Sequence, residues 1–315
     1  MLIPILLLVI GFVALILGAN WLVDGATSVG IRAKLSPLII GLTIVAFGTS
    51  LPELIINVFS CIKGSSGLAI GNIVGSNIMN ILLILGIASI IYPIDVSHIS
   101  IRRDIPAGFV ATAALFVFAN YTWGNLTINW MEGLLLLVMA AGYLALTVKK
   151  NDSTSTEVEA IQIPMPWWKT ILFLVLGIGG LYLGGELVSN NAQIIAKAWG
   201  MSEAMIGLTV VAMATSLPEL ITSIVAATKK NSGIAIGNVL GSNILNICVV
   251  LGISGLITPL QFDTQMNNTL FFLFGANTIM LLFVFTGKGR KLSRFEGALM
   301  LLAFAGFMTY TIMAQ

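Results

Sequence analysis

The sequence predicts an all-α polytopic membrane protein with ten transmembrane helices, arranged as two inverted five-helix repeats. Three observations lead to this prediction. Of the 315 residues, 57% are hydrophobic and only 9% are charged, whereas a soluble domain carries about 25% charged residues. Ten apolar runs are separated into two sets of five by one polar segment. A long block of sequence also occurs twice, once in each set.

The apolar runs have the length of membrane spans, because a helix that crosses a bilayer needs about 20 predominantly apolar residues. They lie at 3–30, 37–62, 67–92, 104–121, 128–147, 167–195, 203–228, 234–258, 267–286 and 293–313. The first run has no positively charged leader and no small-residue cleavage site. It is therefore predicted to be the first transmembrane helix and not a signal peptide.

The one sizeable hydrophilic segment, VKKNDSTSTEVEAIQ, is rich in Ser, Thr and charged residues. It divides the chain into a first five-helix half at 1–147, a linker at 148–166 and a second half at 167–315. Because each half has an odd number of helices, the second half enters the membrane from the opposite side.

The loop charges predict the orientation. With the N-terminus outside, 13 of the 15 Lys and Arg residues lie on the inner side, and only Lys63 and Lys197 lie outside. Positive residues concentrate in cytoplasmic loops. The sequence therefore predicts a multi-pass protein of the cell membrane with both termini extracellular and a cytoplasmic linker.

The internal repeat aligns residues 41–94 with 207–260 at a constant offset of 166, with 30 identities in 54 positions and no gap. GLTIVAFGTSLPELI in the first copy matches GLTVVAMATSLPELI in the second. Polar residues and glycines match in register, which apolar composition alone does not produce. Inverted halves of this kind form transporters whose binding site lies near the middle of the membrane.

The LPE segment of each copy places polar groups inside a membrane span. Pro52 has no N–H to donate, which frees a backbone carbonyl and bends the helix. Thr49, Ser50 and Glu53 are spaced so that they share one helix face. The second copy repeats the pattern with Thr215, Ser216, Pro218 and Glu219.

A second motif, GN-x-x-GSN-x-x-N, adds a polar stripe of Asn72, Ser76 and Asn80. Its second copy contains Asn238, Ser242 and Asn246. In each copy a pair of glycines, Gly71 with Gly75 and Gly237 with Gly241, has a spacing that permits close helix packing. All of these potential ligand atoms are oxygens, which suits hard cations such as Ca²⁺ and Na⁺ and disfavours soft metals.

An acidic side chain in the middle of a bilayer costs about 2.5–3.5 kcal/mol. Glu53 and Glu219 have no intramembrane Lys or Arg to offset this cost. They must be neutralised by a bound cation or by a proton, and the residues alone leave both possibilities open.

The duplicated GTSLPE and GN-x-x-GSN-x-x-N blocks resemble the repeats of the calcium/cation antiporter superfamily, most closely its prokaryotic sodium/calcium exchanger branch. The resemblance implies a secondary transporter, not an enzyme, which expels Ca²⁺ in exchange for Na⁺ by alternating access, typically with three Na⁺ for each Ca²⁺. It implies no cofactor apart from the transported ions. Glu53 and Glu219 would be the main Ca²⁺ ligands, assisted by Thr49 and Thr215.

The same resemblance implies two flanking Na⁺ sites that share the glutamates. One would contain Ala46, Thr49, Ser50 and Ser76, and its symmetry mate Ala212, Thr215, Ser216 and Ser242, with the alanines contributing their carbonyls. The chain departs from the pattern at Asn246, where many sodium/calcium exchangers have Asp. With Asn80 opposite, the central set is two Glu and two Asn, whose charge cannot exceed −2.

Other functions remain open at this stage. An antiporter that exchanges H⁺ for Ca²⁺ or another divalent cation would use the glutamates as titrating groups. A cation channel is disfavoured by the inverted duplication, and a sensor by the lack of a soluble domain. The expected partners are the lipid bilayer, Ca²⁺ and Na⁺, with no nucleic acid. No protein partner is required, and a monomer would suffice.

Overall fold

The computed structural model describes residues 2–62, 66–121, 126–149, 164–200, 212–286 and 289–313. Within these ranges, nine helices are long and apolar enough to cross a membrane. The remaining predicted helix is the seventh in chain order, α7. It is described over 212–228 as Ala212–Thr215 and Leu217–Thr228, and the start predicted for it at 203 lies outside the described residues. The predicted all-α membrane fold is confirmed.

The helices follow the chain in the predicted order. They are α1 Leu2–Ala33, α2 Pro37–Ile62, α3 66–91, α4 Ser100–Tyr121, α5 Trp130–Lys149, α6 Trp167–Ala198, α7 212–228, α8 Ser232–Ile257, α9 Met266–Thr286 and α10 Arg294–Met313. Four two-residue strands lie between them: β1 Ile94–Asp95, β2 Thr127–Ile128, β3 Leu260–Gln261 and β4 Lys291–Leu292.

The start of α4 differs from the prediction, because the helix begins at Ser100 and not at 104. The first turn contains Arg103 and Asp104, whose charges lower the local hydropathy. Asp104 is nonetheless fully buried. It accepts hydrogen bonds from the Arg103 Nε at 2.6 Å and the Tyr143 hydroxyl at 3.1 Å. Paired charges therefore extend the helix beyond its apolar run.

Four of the helices begin with side-chain caps, and two of these four, α5 and α10, are equivalent helices of the two halves. The Ser36 hydroxyl accepts a hydrogen bond from the Ile39 N–H before α2, and the Asn231 side chain accepts one from the Ile234 N–H before α8. Before α5 and α10, a glutamate at the third helical position accepts the N–H of the residue that precedes the helix, as in a capping box. These pairs are Glu132 with Asn129 and Glu296 with Ser293.

Two short strand pairs join loops from opposite halves. β1 pairs antiparallel with β4, and β2 pairs antiparallel with β3. Each pair connects loops that a regular alternation of helix direction places on the same membrane face. The pairing therefore agrees with a second half inserted in the inverted sense.

The helices with the repeated motifs pack at the centre of the protein. A Cβ atom on Gly41 of α2 would lie 2.7 Å from the Ile234 carbonyl of α8, and a Cβ on Gly237 would lie 2.5 Å from the Leu38 carbonyl. Gly241 meets the Leu42 carbonyl in the same way, at 2.7 Å. The close approach predicted for Gly237 and Gly241 is thus confirmed, and it brings α8 of one half against α2 of the other. The same prediction is wrong for Gly71 and Gly75, because in the described part of the chain a Cβ on Gly75 would meet nothing within 4 Å and one on Gly71 would meet only the Met266 side chain.

Helices α1 and α6 pack against each other along their length through four glycines. A Cβ on Gly18 would lie 2.7 Å from the backbone N of Leu181, and one on Gly184 would lie 2.8 Å from the carbonyl of Gly11. Gly177 is similarly close to Leu22. Gly11 and Gly18 are related to Gly177 and Gly184 by the repeat offset of 166. We call these four residues the glycine seam.

The central helices contain π-helical turns, at Gly41–Val45 in α2, Asn80–Ile84 in α3 and Asn246–Leu251 in α8. A π turn inserts one extra residue into a helix and is frequent at functional sites. Asn80 and Asn246 each begin such a turn at equivalent repeat positions. The backbone therefore departs from regular α-helical geometry at Asn80 and Asn246, the two central asparagines of the candidate site.

Candidate functional site

The two repeat glutamates lie at the centre of the four-helix core formed by α2, α3, α7 and α8. The side chains of Glu53 and Glu219 are both fully buried, and their carboxyl groups are close enough to interact with each other. Helix α2 continues through Pro52, whereas α7 is interrupted at Ser216, just before Pro218. Glu219 lies in the first turn of the helix segment that follows this interruption.

The carboxylates have almost no hydrogen-bond partners. The Ser50 hydroxyl donates to Glu219 Oε1 at 3.1 Å. Among the described residues, neither oxygen of Glu53 nor the Oε2 of Glu219 has a partner. Buried polar atoms are nearly always paired, and an unpaired one calls for an explanation such as an ion that is not present. Three buried carboxylate oxygens are therefore available to a ligand.

Four asparagines connect α3 and α8 across the pseudo-two-fold axis; we call Asn77, Asn80, Asn243 and Asn246 the amide cluster. The Asn77 side chain donates to the Asn243 carbonyl at 3.0 Å, and Asn243 donates to the Asn77 carbonyl at 3.2 Å. Asn80 donates to Asn243 Oδ1 at 2.9 Å, and Asn246 donates to Asn77 Oδ1 at 3.3 Å. The repeat offset of 166 relates Asn77 to Asn243 and Asn80 to Asn246, so each of these bonds has a symmetry-related counterpart in the other half.

The amide cluster fixes the orientation of the two central amides. Because the NH₂ groups of Asn80 and Asn246 donate within the cluster, their Oδ1 atoms face away from it. Both oxygens are buried and have no partner among the described residues. The centre of the protein thus offers two amide oxygens in addition to the carboxylate oxygens, with a formal charge of −2.

The hydroxyl groups predicted for the flanking sites meet across the two halves. Thr49 donates to Asn238 Oδ1 at 3.1 Å and lies 3.5 Å from the Ser242 hydroxyl. Ser216 donates to the Ser76 hydroxyl at 3.1 Å.

On the same side of the centre as Ser216 and Ser76, opposite Thr49, the Thr215 hydroxyl donates to Asn72 Oδ1 at 3.2 Å. The sequence had grouped Ser76 with Thr49 and Ser242 with Thr215. The grouping differs in the structure because α8 of one half packs on α2 of the other, which places Ser242 beside Thr49.

Of the two alanines predicted as carbonyl ligands, Ala46 contacts one of these hydroxyl groups. The Ala46 carbonyl accepts a hydrogen bond from the Thr49 hydroxyl at 3.2 Å. Ala212 is the first described residue of α7, and the segment before it lies outside the described residues. Their role as Na⁺ ligands stays a prediction.

Two further pairs of polar residues support the centre and were not selected from the sequence. Asn57 donates to the Glu53 carbonyl at 2.8 Å. At the equivalent position of the other half, the Ser223 hydroxyl accepts a hydrogen bond from Asn238 at 2.9 Å. Asn57 and Ser223 differ in type and so gave no repeat signal. Asn77 and Asn243 did recur inside the GSN motif, and this recurrence could have identified them.

A cavity lies beside the site, next to Thr215. It is lined by Pro52, Pro218 and Thr215 on the central helices and by Glu186 and Ser189 on α6. On the opposite side of the centre, Thr49 is fully buried. A Cβ at Gly48 would lie 3.4 Å from Ile178 and 3.5 Å from Leu22. In this conformation α1 and α6 therefore cover the Thr49 side, while the Thr215 side has a cavity.

The donor set is unsuited to a soft metal. Among the described residues there is no group of three or more His, Cys, Asp or Glu side chains placed to hold a metal ion. Both cysteines, Cys61 and Cys248, are buried and free. The oxygen-only centre instead matches the ligands preferred by hard cations.

Comparison with known proteins gives consistent matches over nearly the whole chain. A family model described as "Sodium/calcium exchanger protein" matches residues 3–149 and 169–313. A protein named antiporter CaxA from Alkalimonas amylolytica is 36% identical over 98% of each chain. Sodium/calcium exchanger MaX1 from Methanosarcina acetivorans is 29% identical over 96% of this chain and 97% of that protein. A solved structure of the sodium-calcium exchanger NCX_Mj, soaked with Na⁺ and Ca²⁺, has a TM-score of 0.81 at 30% identity, covering 96% of each chain.

Proposed function

Because the chain belongs to the sodium/calcium exchanger protein family, we propose that it exchanges Ca²⁺ for Na⁺ across the cell membrane by alternating access. Because it belongs to this family, the chain is a cation antiporter. The proposal concerns the coupling ion, which we take to be Na⁺. The observation that carries the proposal is the central pair Glu53 and Glu219, buried and nearly unpartnered. Their charge of −2 equals the charge needed to neutralise one Ca²⁺.

The proposed Ca²⁺ site is built around the three carboxylate oxygens that have no hydrogen-bond partner among the described residues. Ca²⁺ takes about six to eight oxygen ligands in flexible geometry. The carboxylates of Glu53 and Glu219 supply the charge, and Thr49 and Thr215 complete the set from either side. The Oδ1 atoms of Asn80 and Asn246, which are buried and have no partner in the described part of the chain, supply further oxygens to the cation at the same centre.

The proposed Na⁺ sites flank the centre and share its glutamates. Hydroxyls that meet across the halves support one site at Thr49 and Ser242, with the Ala46 carbonyl, and a second at Thr215, Ser216 and Ser76. Ser50 and the Ala212 carbonyl lie next to these groups in sequence and belong to the same two sites in this proposal. Because Na⁺ and Ca²⁺ use the same carboxylates, they cannot be bound together.

Charge explains why movement requires bound ions. An empty site exposes two buried carboxylates without compensation, at a cost of several kcal/mol for each ion. A Ca²⁺-loaded site is neutral, and a site with three Na⁺ has a net charge of +1. Exchange of three Na⁺ for one Ca²⁺ would therefore be electrogenic, with the membrane potential acting on the Na⁺-loaded step.

The proposed movement is a displacement of α1 and α6 across the four-helix core. In this conformation the cavity at Thr215 gives access from one face, and the same two helices cover Thr49. By the loop-charge rule, the Thr215 end of α7 faces outward and both termini are extracellular, with a cytoplasmic linker at 148–166 between the halves 1–147 and 167–315. Na⁺ influx would then drive Ca²⁺ extrusion, and a monomer is sufficient for this cycle.

Flux in reconstituted vesicles tests the coupling ion. Vesicles loaded with Na⁺ should accumulate ⁴⁵Ca²⁺ when diluted into Na⁺-free buffer, with no requirement for a pH gradient. Uptake driven by a pH gradient alone, in the absence of Na⁺, would contradict Na⁺ coupling. It would favour the H⁺/Ca²⁺ alternative, in which Glu53 and Glu219 exchange protons for the metal. Vesicles with inactive Glu219→Gln protein provide the background.

An ion pair at the far end of α7 is expected to favour the present conformation. Asp24 of α1 accepts a hydrogen bond from Lys229, at the end of α7, over 2.6 Å. Partly exposed pairs of this kind contribute about 0.2–1 kcal/mol. If α1 moves, the pair must break, and Lys229→Gln should lower the Ca²⁺ concentration for half-maximal transport from the Lys229 face by about two- to fivefold.

The control for this prediction is Lys230→Gln, which removes a neighbouring exposed charge. The double change Asp24→Lys with Lys229→Asp should restore the original value by reversing the pair. Kinetics from each face in oriented vesicles provide the measurement. Equal effects of Lys229→Gln and Lys230→Gln would show that general surface charge is responsible and that the pair has no role.

A further inference from the structure

The cavity beside α6 contains an acidic side chain that the ion sites described above do not use. Glu186 lines this cavity together with Ser189 of the same helix and with Thr215, Pro52 and Pro218 of the central helices. In the described part of the chain it forms no ion pair, unlike Asp24, which is held by Lys229. An unpaired carboxylate on a membrane helix needs a physical reason.

Glu186 lies well within the membrane span. Trp168 and Trp199 are exposed near the two ends of α6, where tryptophans are enriched at membrane interfaces. At 1.5 Å per residue, Glu186 is about 27 Å along the helix from Trp168 and about 20 Å from Trp199. A carboxylate at such depth is normally found facing a water-filled cavity or a cation, and ionisable residues in spans mark ion pathways.

The groups around the cavity lead from Glu186 to the central site. Ser189 lies one helical turn further along the same face of α6. Thr215 is also part of the cavity lining, and it precedes Glu219 by four residues, across the interruption of α7 at Ser216. Oxygen-bearing side chains thus lie along the way from the wall of the cavity to the centre.

We propose that Glu186 recruits the transported cation from the Thr215 face, holding it transiently at the wall of the cavity before it passes to Thr215 and Glu219. This inference rests on the proposed function as a cation antiporter and adds a positioning residue to its access path. The carboxylate acts by attraction at a distance, because a cleft lined by one sign of charge raises the local concentration of the opposite ion.

The recruitment acts on one face only. The residue of α1 related to Glu186 by the repeat offset is Asn20, whose side chain donates to the Ile16 carbonyl of its own helix at 2.9 Å. The nearby acid on α1, Asp24, is paired with Lys229. The two access routes therefore differ in charge although the halves are related by symmetry, and the apparent Ca²⁺ affinity should depend on Glu186 from one side alone.

The test is Ca²⁺/⁴⁵Ca²⁺ exchange in right-side-out and everted membrane vesicles that contain Glu186→Gln protein. The Ca²⁺ concentration for half-maximal exchange should rise by about tenfold from the Thr215 face. It should be unchanged from the opposite face, and the maximal rate should be the same from both. The effect should shrink as ionic strength increases, since salt screens the attraction. Glu186→Asp keeps the charge and should retain most of the affinity.

The matched control is Asp263→Asn, which removes one negative charge from the exposed loop between α8 and α9, on the same face. An equal change in half-maximal concentration with Asp263→Asn, or a change from both faces with Glu186→Gln, would overturn the inference. So would wild-type kinetics for Glu186→Gln. Because this exchange needs no Na⁺, the coupling ion does not enter the result. Absence of Ca²⁺ exchange by the wild-type protein would instead refute the proposed function.

Discussion

Glu53→Gln and Glu219→Gln are each expected to abolish Ca²⁺ transport while the protein remains folded. Both carboxylates are fully buried, and three of their four oxygens have no partner among the described residues. Removing one charge from a buried, closely bound ion costs about 2–5 kcal/mol. Ca²⁺ affinity should therefore fall by about 30-fold or more. Na⁺-driven ⁴⁵Ca²⁺ flux in vesicles and Ca²⁺ binding in detergent provide the two measurements.

Thermal unfolding separates loss of binding from loss of structure. A ligand that binds the native state raises its stability in proportion to the logarithm of its concentration. Ca²⁺ should raise the melting temperature of the wild-type protein but not that of either Gln variant. Without ions, the variants should melt at or above the wild-type temperature, because an unpaired buried charge has been removed.

The control for both glutamates is Glu296→Gln. Glu296 is also buried, but its carboxylate accepts the Ser293 N–H at the start of α10 and lies outside the four-helix core. This change should reduce stability slightly and leave transport intact. Retained Na⁺-driven Ca²⁺ flux in Glu53→Gln or Glu219→Gln would contradict the assignment of the central site.

Asn243→Ala should also reduce Ca²⁺ transport strongly, through the orientation of another residue. Asn243 Oδ1 accepts the Asn80 amide at 2.9 Å, and the Asn243 side chain donates to the Asn77 carbonyl. Without it, two buried polar groups lose their partner, at about 1–3 kcal/mol for each. Asn80 is then free to turn its oxygen away from the centre. Unfolding in detergent and transport rates should show both effects.

Asn77→Ala tests the symmetry-related contact. It removes the Asn77 Oδ1 that accepts the Asn246 amide, so Asn246 should lose its orientation in the same way. The double variant should be less affected than the sum of the two single changes, since the residues share one network. Asn277→Ala is the matched control, because this buried asparagine donates only to Leu273 of its own helix. Equal loss of transport in Asn277→Ala would show that the amide cluster has no specific role.

Much of the fold follows from hydropathy and repetition. Predicted limits such as 37–62 for α2 agree with the observed Pro37–Ile62, because an apolar run of membrane length has few alternatives to a helix. Hydropathy failed at the start of α4, where Arg103 and Asp104 neutralise each other. Hydropathy also could not predict the π turns at Asn80 and Asn246, since these depend on packing between the two halves.

The candidate site was predictable as a set of residues but not as a set of contacts. Repetition of the motifs selected Glu53 and Glu219, and the structure places both in the core. The partners of the flanking hydroxyls could not be deduced, because residues from opposite halves meet only after the inverted units have packed. Asn57 supports Glu53 from the next helical turn, yet a Ser occupies its position in the second copy, so no repeat identified it.

The glycine seam has a consequence for leakage. The close backbone contacts that recur at Gly18 and Gly184 pack α1 tightly against α6, so we expect the two helices to move as one body in the proposed cycle. Uncovering Thr49 by moving this body must bring it over Thr215, and a continuous aqueous path through the protein would require the pair to split. Strict alternation between faces is then a property of the steric contact itself, and it holds even during the moments when the carboxylates are neutralised.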